Sequence, residues 1–189
     1  PIIDVFSAIG AAEKEIEKLE QEGFVHETRE MTIWPVKALG RVLAGDIANA
    51  CFHRHRLDLA RGKYPQLTAL LMTLPSHSEI IGSTLLIEAK TESGKRVLVI
   101  RALNPTESVI HEVNAKSVVE TMIAYVTKLA EKQGEGDGEL IEEIRLCMDA
   151  CGGHSTNRQA IADAEHALWT EHAYALPEEA LVSTEETNF

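Results

Sequence analysis

The stretch Glu79-Ile80-Ile81-Gly82-Ser83-Thr84-Leu85-Leu86-Ile87-Glu88-Ala89-Lys90, the turn Thr91-Glu92-Ser93-Gly94-Lys95 and the run Arg96-Val97-Leu98-Val99-Ile100-Arg101-Ala102-Leu103 decide the fold. Two apolar, β-branched runs joined by a short polar segment containing glycine predict an antiparallel hairpin. The second run is apolar on both faces, which places it centrally, covered from above and below. Working outward, Asn114 to Gln133 predicts a helix, with Asn114 as N-cap and Val118, Val119, Met122, Ile123, Val126, Leu129 and Ala130 on one stripe. Ile141 to Met148 reads as a further strand and Ser155 to Trp169 as a further helix. The fold class that follows is α/β: a central mixed, mostly antiparallel sheet with helices on both faces.

The rest of the chain is less sharply patterned. Ser7 to Gln21 reads as a helix with a thin apolar stripe, so residues 1–23 form an expected arm. Residues 24–176 are read as a single α/β domain, a size that suits one core, and residues 177–189 as a polar, Glu-rich, loose tail. Within the domain, Phe24 to Val36 contains a weak strand with Pro35 at its end or edge. Lys37 to Arg56 has helical spacing, and Leu57 to Leu74 is read as helical in two pieces broken near Gly62 and Pro65.

A formal net charge of −12 argues against a nucleic-acid binder, which needs Lys and Arg to displace counterions from phosphate. It suits solubility, and also a cationic substrate such as an amine. Three cysteines (Cys51, Cys147 and Cys151) do not make a disulfide framework and point to a reducing, cytoplasmic setting. No run of ~18 apolar residues offers a membrane span. No signal-peptide pattern is present, although a chain beginning at Pro1 is compatible with a processed product.

Candidate chemistry gathers at two strand ends. Arg101-Ala102-Leu103-Asn104-Pro105-Thr106 follows the central strand, where loops of α/β sheets bind ligands and an arginine can grip a phosphate. The competing reading is a turn fixed by Pro105, with Asn104 making local hydrogen bonds. Asp149-Ala150-Cys151-Gly152-Gly153-His154-Ser155-Thr156-Asn157-Arg158 follows the next strand. Gly152 and Gly153 let backbone approach a ligand, and His154 has the ordinary pKa of a general base. The plain alternative is a glycine loop with Ser155 or Thr156 capping the last helix. Glu88, a carboxylate on an apolar strand, is either solvent-facing or a site base. No metal centre is expected. The C-x₃-C spacing of Cys147 and Cys151 is not that of a zinc knuckle, and His53 and His55 point to different faces of an expected helix.

The order hairpin, helix, strand, helix resembles the central part of the GCN5-related N-acetyltransferase (GNAT) superfamily over Glu79 to Trp169. In that family the phosphate loop leaves the fourth strand with Arg or Gln and continues through glycines whose amides hold the CoA pyrophosphate. Arg101 matches the opening position, while Asn104 and Thr106 stand where small residues are expected. Asn157 matches an Asn that touches the pantetheine arm. The amino-terminal third does not match, and the family's last two strands are not visible after Tyr174. The resemblance implies acetyl-CoA or another acyl-CoA as co-substrate, without a metal. It implies backbone amides from Ile100 to Ala102 that polarise the thioester, contacts from Arg101, Asn104, Thr106, Asn157 and Arg158, and Glu88, Asp149 or His154 as the base that deprotonates an amine. The aromatic acid usual on the last helix has no Tyr counterpart here.

Two other readings stand beside it. One is a non-catalytic interaction or regulatory domain of the same fold, for which the acidic surface and missing phosphate glycines speak, and which would form a homo-oligomer or partner complex. The other is a Cys/His hydrolase or transferase using Cys147 or Cys151 with His154.

Overall fold

The computed structural model describes residues 26–27, 31–36, 38–47, 56–61, 63–74, 80–106, 110, 113–134, 140–146, 156–172 and 181. The strands are β1 (His26–Glu27), β2 (Thr32–Val36), β3 (Leu67–Thr73), β4 (Ile80–Lys90), β5 (Arg96–Pro105) and β6 (Glu143–Leu146). The helices are α1 (Ala38–Ile47), α2 (Arg56–Ala60), α3 (Ala115–Gly134) and α4 (Gln159–Glu171). The six strands lie in one sheet in chain order. Each neighbouring pair is antiparallel except β5–β6, which is parallel. A parallel neighbour requires a crossover, and α3 supplies it.

The β4–β5 hairpin closes through Thr91. Its amide donates to the Lys95 carbonyl at 3.0 Å, and its hydroxyl accepts from the Lys95 amide at 3.1 Å. Gly94 completes the turn at φ +91°, a conformation that side chains resist. Asn114 caps α3, its Oδ1 accepting from the Ser117 amide at 3.2 Å. β5 has β4 on one side and β6 on the other, as its unbroken apolar run requires.

Helices cover both faces of the sheet. On one face Ile33, Leu70, Met72, Leu86, Leu98, Ile100 and Leu103 pack with Val119, Met122 and Val126 of α3 and Ile161, Ala164 and Leu168 of α4. On the other, Val36, Leu67, Ala69, Leu71, Leu85 and Ala102 pack with Ala44 of α1 and Leu59 of α2. A smaller cluster, Ile87, Val97 and Val99, takes Leu181 against it. Leu181 lies in the segment expected to be loose, yet it forms an isolated antiparallel bridge with Thr91.

The second helical piece expected in Leu57 to Leu74 is instead strand β3. Leu67-Thr68-Ala69-Leu70-Leu71-Met72-Thr73 is rich in helix formers, but its two faces enter two different cores, which an extended strand satisfies. The helix expected from Lys37 to Arg56 appears as α1, with α2 beginning at Arg56. β5 runs on to Pro105, so the expected loop at Asn104 begins later. The helix expected at Ser7 to Gln21, with the whole of the 1–23 arm, and the 177–189 tail apart from Leu181, lie outside the described residues. Among the described residues no helix is long and apolar enough to cross a membrane.

Candidate functional site

The register of β4 against β5 slips where the second half of β5 begins. Ser83 opposes Asn104 and Leu85 opposes Arg101, so Ala102 and Leu103 together face Thr84. This is a β-bulge, with the extra residue on β5. Ala102 takes it up at φ +56°, the left-handed region that a residue with a β-carbon enters at a cost. Thr84, fully buried, holds the bulge by donating its hydroxyl to the Arg101 carbonyl at 2.8 Å. The described pairing of β5 with β6 ends at Ile100–Leu146, just before the bulge. A bulged strand bends and twists away from its ladder, so β5 changes course just after Ile100.

Beyond the bulge, the end of β5 is tied to the start of α4. The Asn104 side chain is buried, and its Oδ1 accepts from the Thr156 hydroxyl and from the Asn157 amide, each at 3.0 Å. The Thr156 hydroxyl in turn accepts from the Arg158 amide at 3.0 Å. Arg158, also buried, donates through Nε to the Pro105 carbonyl at 2.6 Å and through Nη1 to the Asn157 Oδ1 at 2.8 Å. A low-dielectric setting strengthens such a network when its members are satisfied. Gly82, paired with Pro105, lets the strands approach. A β-carbon built there would lie 2.6 Å from the Asn104 carbonyl oxygen and from Pro105 Cα.

The structure therefore brings Asn104, Asn157 and Arg158 together, with Arg101 half-buried three residues before Asn104 on the same strand. Ile100 is a core residue whose side chain joins the face packed by α3 and α4. The Thr106 amide donates to the Ile81 carbonyl at 2.7 Å, and Pro105 has no amide hydrogen. Glu88 does not join this group. It accepts from Arg96 Nε at 2.9 Å and pairs with its Nη2, and it sits about 13 Å along β4 from Thr84 at the usual strand rise. Asp149, His154, Cys147 and Cys151 lie outside the described residues. Among the described residues no cluster of three or more His, Cys, Asp or Glu is placed to hold a metal.

Sequence reasoning passed over Thr84, Gly82 and Thr156's hydrogen bond to Asn104. Gly82 carried a readable signal, since a lone glycine inside a strand marks close backbone approach. Thr84 carried none, because its role exists only in the register.

No family model and no curated protein matches the sequence. Solved structures do match. A probable acetyltransferase aligns with a TM-score of 0.52 at 11% identity, over 77% of this chain and 91% of that one. The ribosomal-protein-alanine N-acetyltransferase of Brucella melitensis biovar Abortus 2308 aligns at 0.47 and 12% identity, over 82% and 98%. Glucosamine-6-phosphate N-acetyltransferase of Arabidopsis thaliana aligns at 0.42 and 10% identity, over 84% and 98%. Of these, the likeness to the probable acetyltransferase, at a TM-score of 0.52, speaks to the fold. With an antiparallel β2–β5 sheet, a crossover through α3 to a parallel β6, and α4 returning to the end of β5, the chain has the GCN5-related N-acetyltransferase-like fold.

Proposed function

We propose that the chain is an acyl-CoA-dependent N-acyltransferase-like enzyme that passes an acyl group, acetyl in the simplest case, to an amine. The observation that supports this best is the left-handed bulge at Ala102, two residues beyond Ile100, the last β5 residue with a described partner on β6. A bulge takes backbone groups out of the ladder and re-aims them, which is what a thioester or an extended amide-bearing chain needs from a sheet. In this reading the backbone from Ile100 to Ala102 polarises the thioester carbonyl, and Arg101 and Asn157 contact the phosphate and pantetheine parts of CoA. Asp149 or His154 takes the amine proton, directly or through water. The amine nitrogen bonds to the acyl carbon, the carbon–sulfur bond breaks, and the CoA thiolate takes up a proton. The net charge of −12 favours a cationic amine as acceptor.

Calorimetric titration with CoA and acetyl-CoA tests the reading. Saturable binding is expected, weakened roughly tenfold by Arg101→Ala, the size of one charge-assisted hydrogen bond. Thiol release with a panel of amines then reads turnover. No heat at millimolar CoA overturns the proposal.

A second reading, a non-catalytic domain of this fold, is favoured by one specific observation. Where family glycines would offer amides to pyrophosphate, Pro105 has none and the Thr106 amide is engaged with Ile81. It predicts a stable complex without turnover, and measurable acyl transfer by a monomer in light scattering counts against it.

A further inference from the structure

Arg158 is only 6 % exposed, whereas its neighbour Asn157 lies at the surface. The guanidinium is anchored to the end of β5, Nε donating to the Pro105 carbonyl at 2.6 Å, and its Nη1 donates to the Asn157 Oδ1 at 2.8 Å. A guanidinium has N–H donors and no acceptor, so it admits only the oxygen of a carboxamide. That fixes which end of the Asn157 amide is which: the oxygen meets Arg158, and the nitrogen occupies the arm turned away from it. The nitrogen carries two hydrogens, enough to serve a ligand beside any bond within the chain. The backbone amides at this corner are engaged already, that of Asn157 by Asn104 and that of Arg158 by Thr156. What Asn157 offers to a ligand is therefore a side-chain donor.

We infer that Arg158 is a positioning residue, which holds the Asn157 carboxamide with its nitrogen outward so that it donates to a carbonyl oxygen of the pantetheine arm. This deepens the acyltransferase reading of the same site and rests on it. An exposed asparagine alone presents oxygen or nitrogen with equal ease, since the two exchange by a half-turn of the amide. With the oxygen pinned, a ligand carbonyl is matched and a ligand N–H is not, and a donor set in advance loses less freedom on binding. Arginine suits the task because its planar fork is pre-organised and stays protonated. Arg158 acts on the ligand through Asn157, from beneath the surface.

The experiment is calorimetric titration with CoA of wild type, Asn157→Ala, Arg158→Gln, the double variant and Asn157→Asp, alongside thermal melting of each free protein. Glutamine can donate or accept, so it no longer dictates how Asn157 is turned. Asn157→Ala is expected to bind CoA roughly tenfold more weakly, the size of one good hydrogen bond, and Arg158→Gln several-fold more weakly. In the double variant the two losses should not add, because Arg158 then has nothing to orient; an arginine with a structural role alone gives additive losses. Asn157→Asp keeps the arginine and accepts from it more strongly, but offers no donor. It is expected to melt no lower than wild type and to lose roughly tenfold in CoA affinity. That loss should persist at about 0.5 M salt, where repulsion between the new charge and CoA is largely screened. Where Arg158→Gln does not fold, the Asn157→Asp result decides. Additive losses in the cycle, or an Asn157→Asp protein that binds CoA like wild type at high salt, overturn this inference alone. Wild type that does not bind CoA overturns it together with the acyltransferase reading.

Discussion

A β-carbon at position 82 would lie 2.6 Å from two backbone atoms, the Asn104 carbonyl oxygen and Pro105 Cα, and from the tip of Met72. Met72 can swing aside, but the strands must part to admit the rest. Gly82→Ala is therefore expected to destabilise the protein by about 1–3 kcal/mol, the usual cost of overpacking, read as a lower urea midpoint. Asn104 sits across the same gap. Asn104→Ala would strand the Thr156 hydroxyl and the Asn157 amide, at about 1–3 kcal/mol. Hydrogen exchange should then quicken at residues 156–160 more than in α3. At this scale the sequence was partly legible. Asn104, Asn157 and Arg158 stood out as polar residues at strand ends, and they do meet. Their partners in the structure are one another, which spacing alone does not reveal. Ala102 gave no sign of its left-handed backbone, because alanine is an unremarkable residue in a strand and the strain arises only once β4 and β5 are in register.

Elements were read well where one periodicity prevailed and poorly where two competed. β4, β5 and α3 were evident from β-branched runs and from a stripe with its Asn114 cap. β3 was not, because Leu67 to Met72 fits a helix by propensity and a twice-covered strand by context, and only tertiary structure arbitrates. The packing of α3 has a consequence at high pH. Tyr125 is fully buried, and burial raises its phenol pKa well above the ordinary value of about 10. Above about pH 10 the unfolded chain releases this proton while the folded one keeps it. The unfolded state then binds fewer protons, and stability falls as pH climbs towards the native pKa. Below about pH 10 the residue adds no pH dependence. Denaturation between pH 9 and 11 should show this decline, at up to about 1.4 kcal/mol per pH unit, and Tyr125→Phe should flatten it. α3 and α4 also exchange charges at their ends. Lys116, in the first turn of α3, pairs with Glu171, the last residue of α4, at 2.6 Å. Each charge opposes its own helix dipole, and the hydrogen bond between them raises the lysine pKa and lowers that of the glutamate.

For the molecule as a whole, a net charge of −12 gives the two proposed substrates opposite long-range fields. CoA is polyanionic and is repelled at a distance, whereas an amine cation is drawn in. Added salt screens both effects over about a Debye length, ~10 Å at 0.1 M. Stopped-flow association should therefore speed up with salt for CoA and slow down for a cationic amine. Finally, the sheet order repeats the chain order, and this bears on how the molecule assembles. Each antiparallel strand joins the one made just before it, through short loops except between β2 and β3, where residues 37–66 with α1 and α2 intervene, so β1 to β5 can pair in order as they leave the ribosome. β6 waits for residues 106–142 to be synthesised and for α3 to dock, since a parallel partner is reached only over a long connection. The last strand to arrive is thus the one beside the bulge, and a chain halted before it would hold the β4–β5 hairpin with one flank of its central strand unpaired.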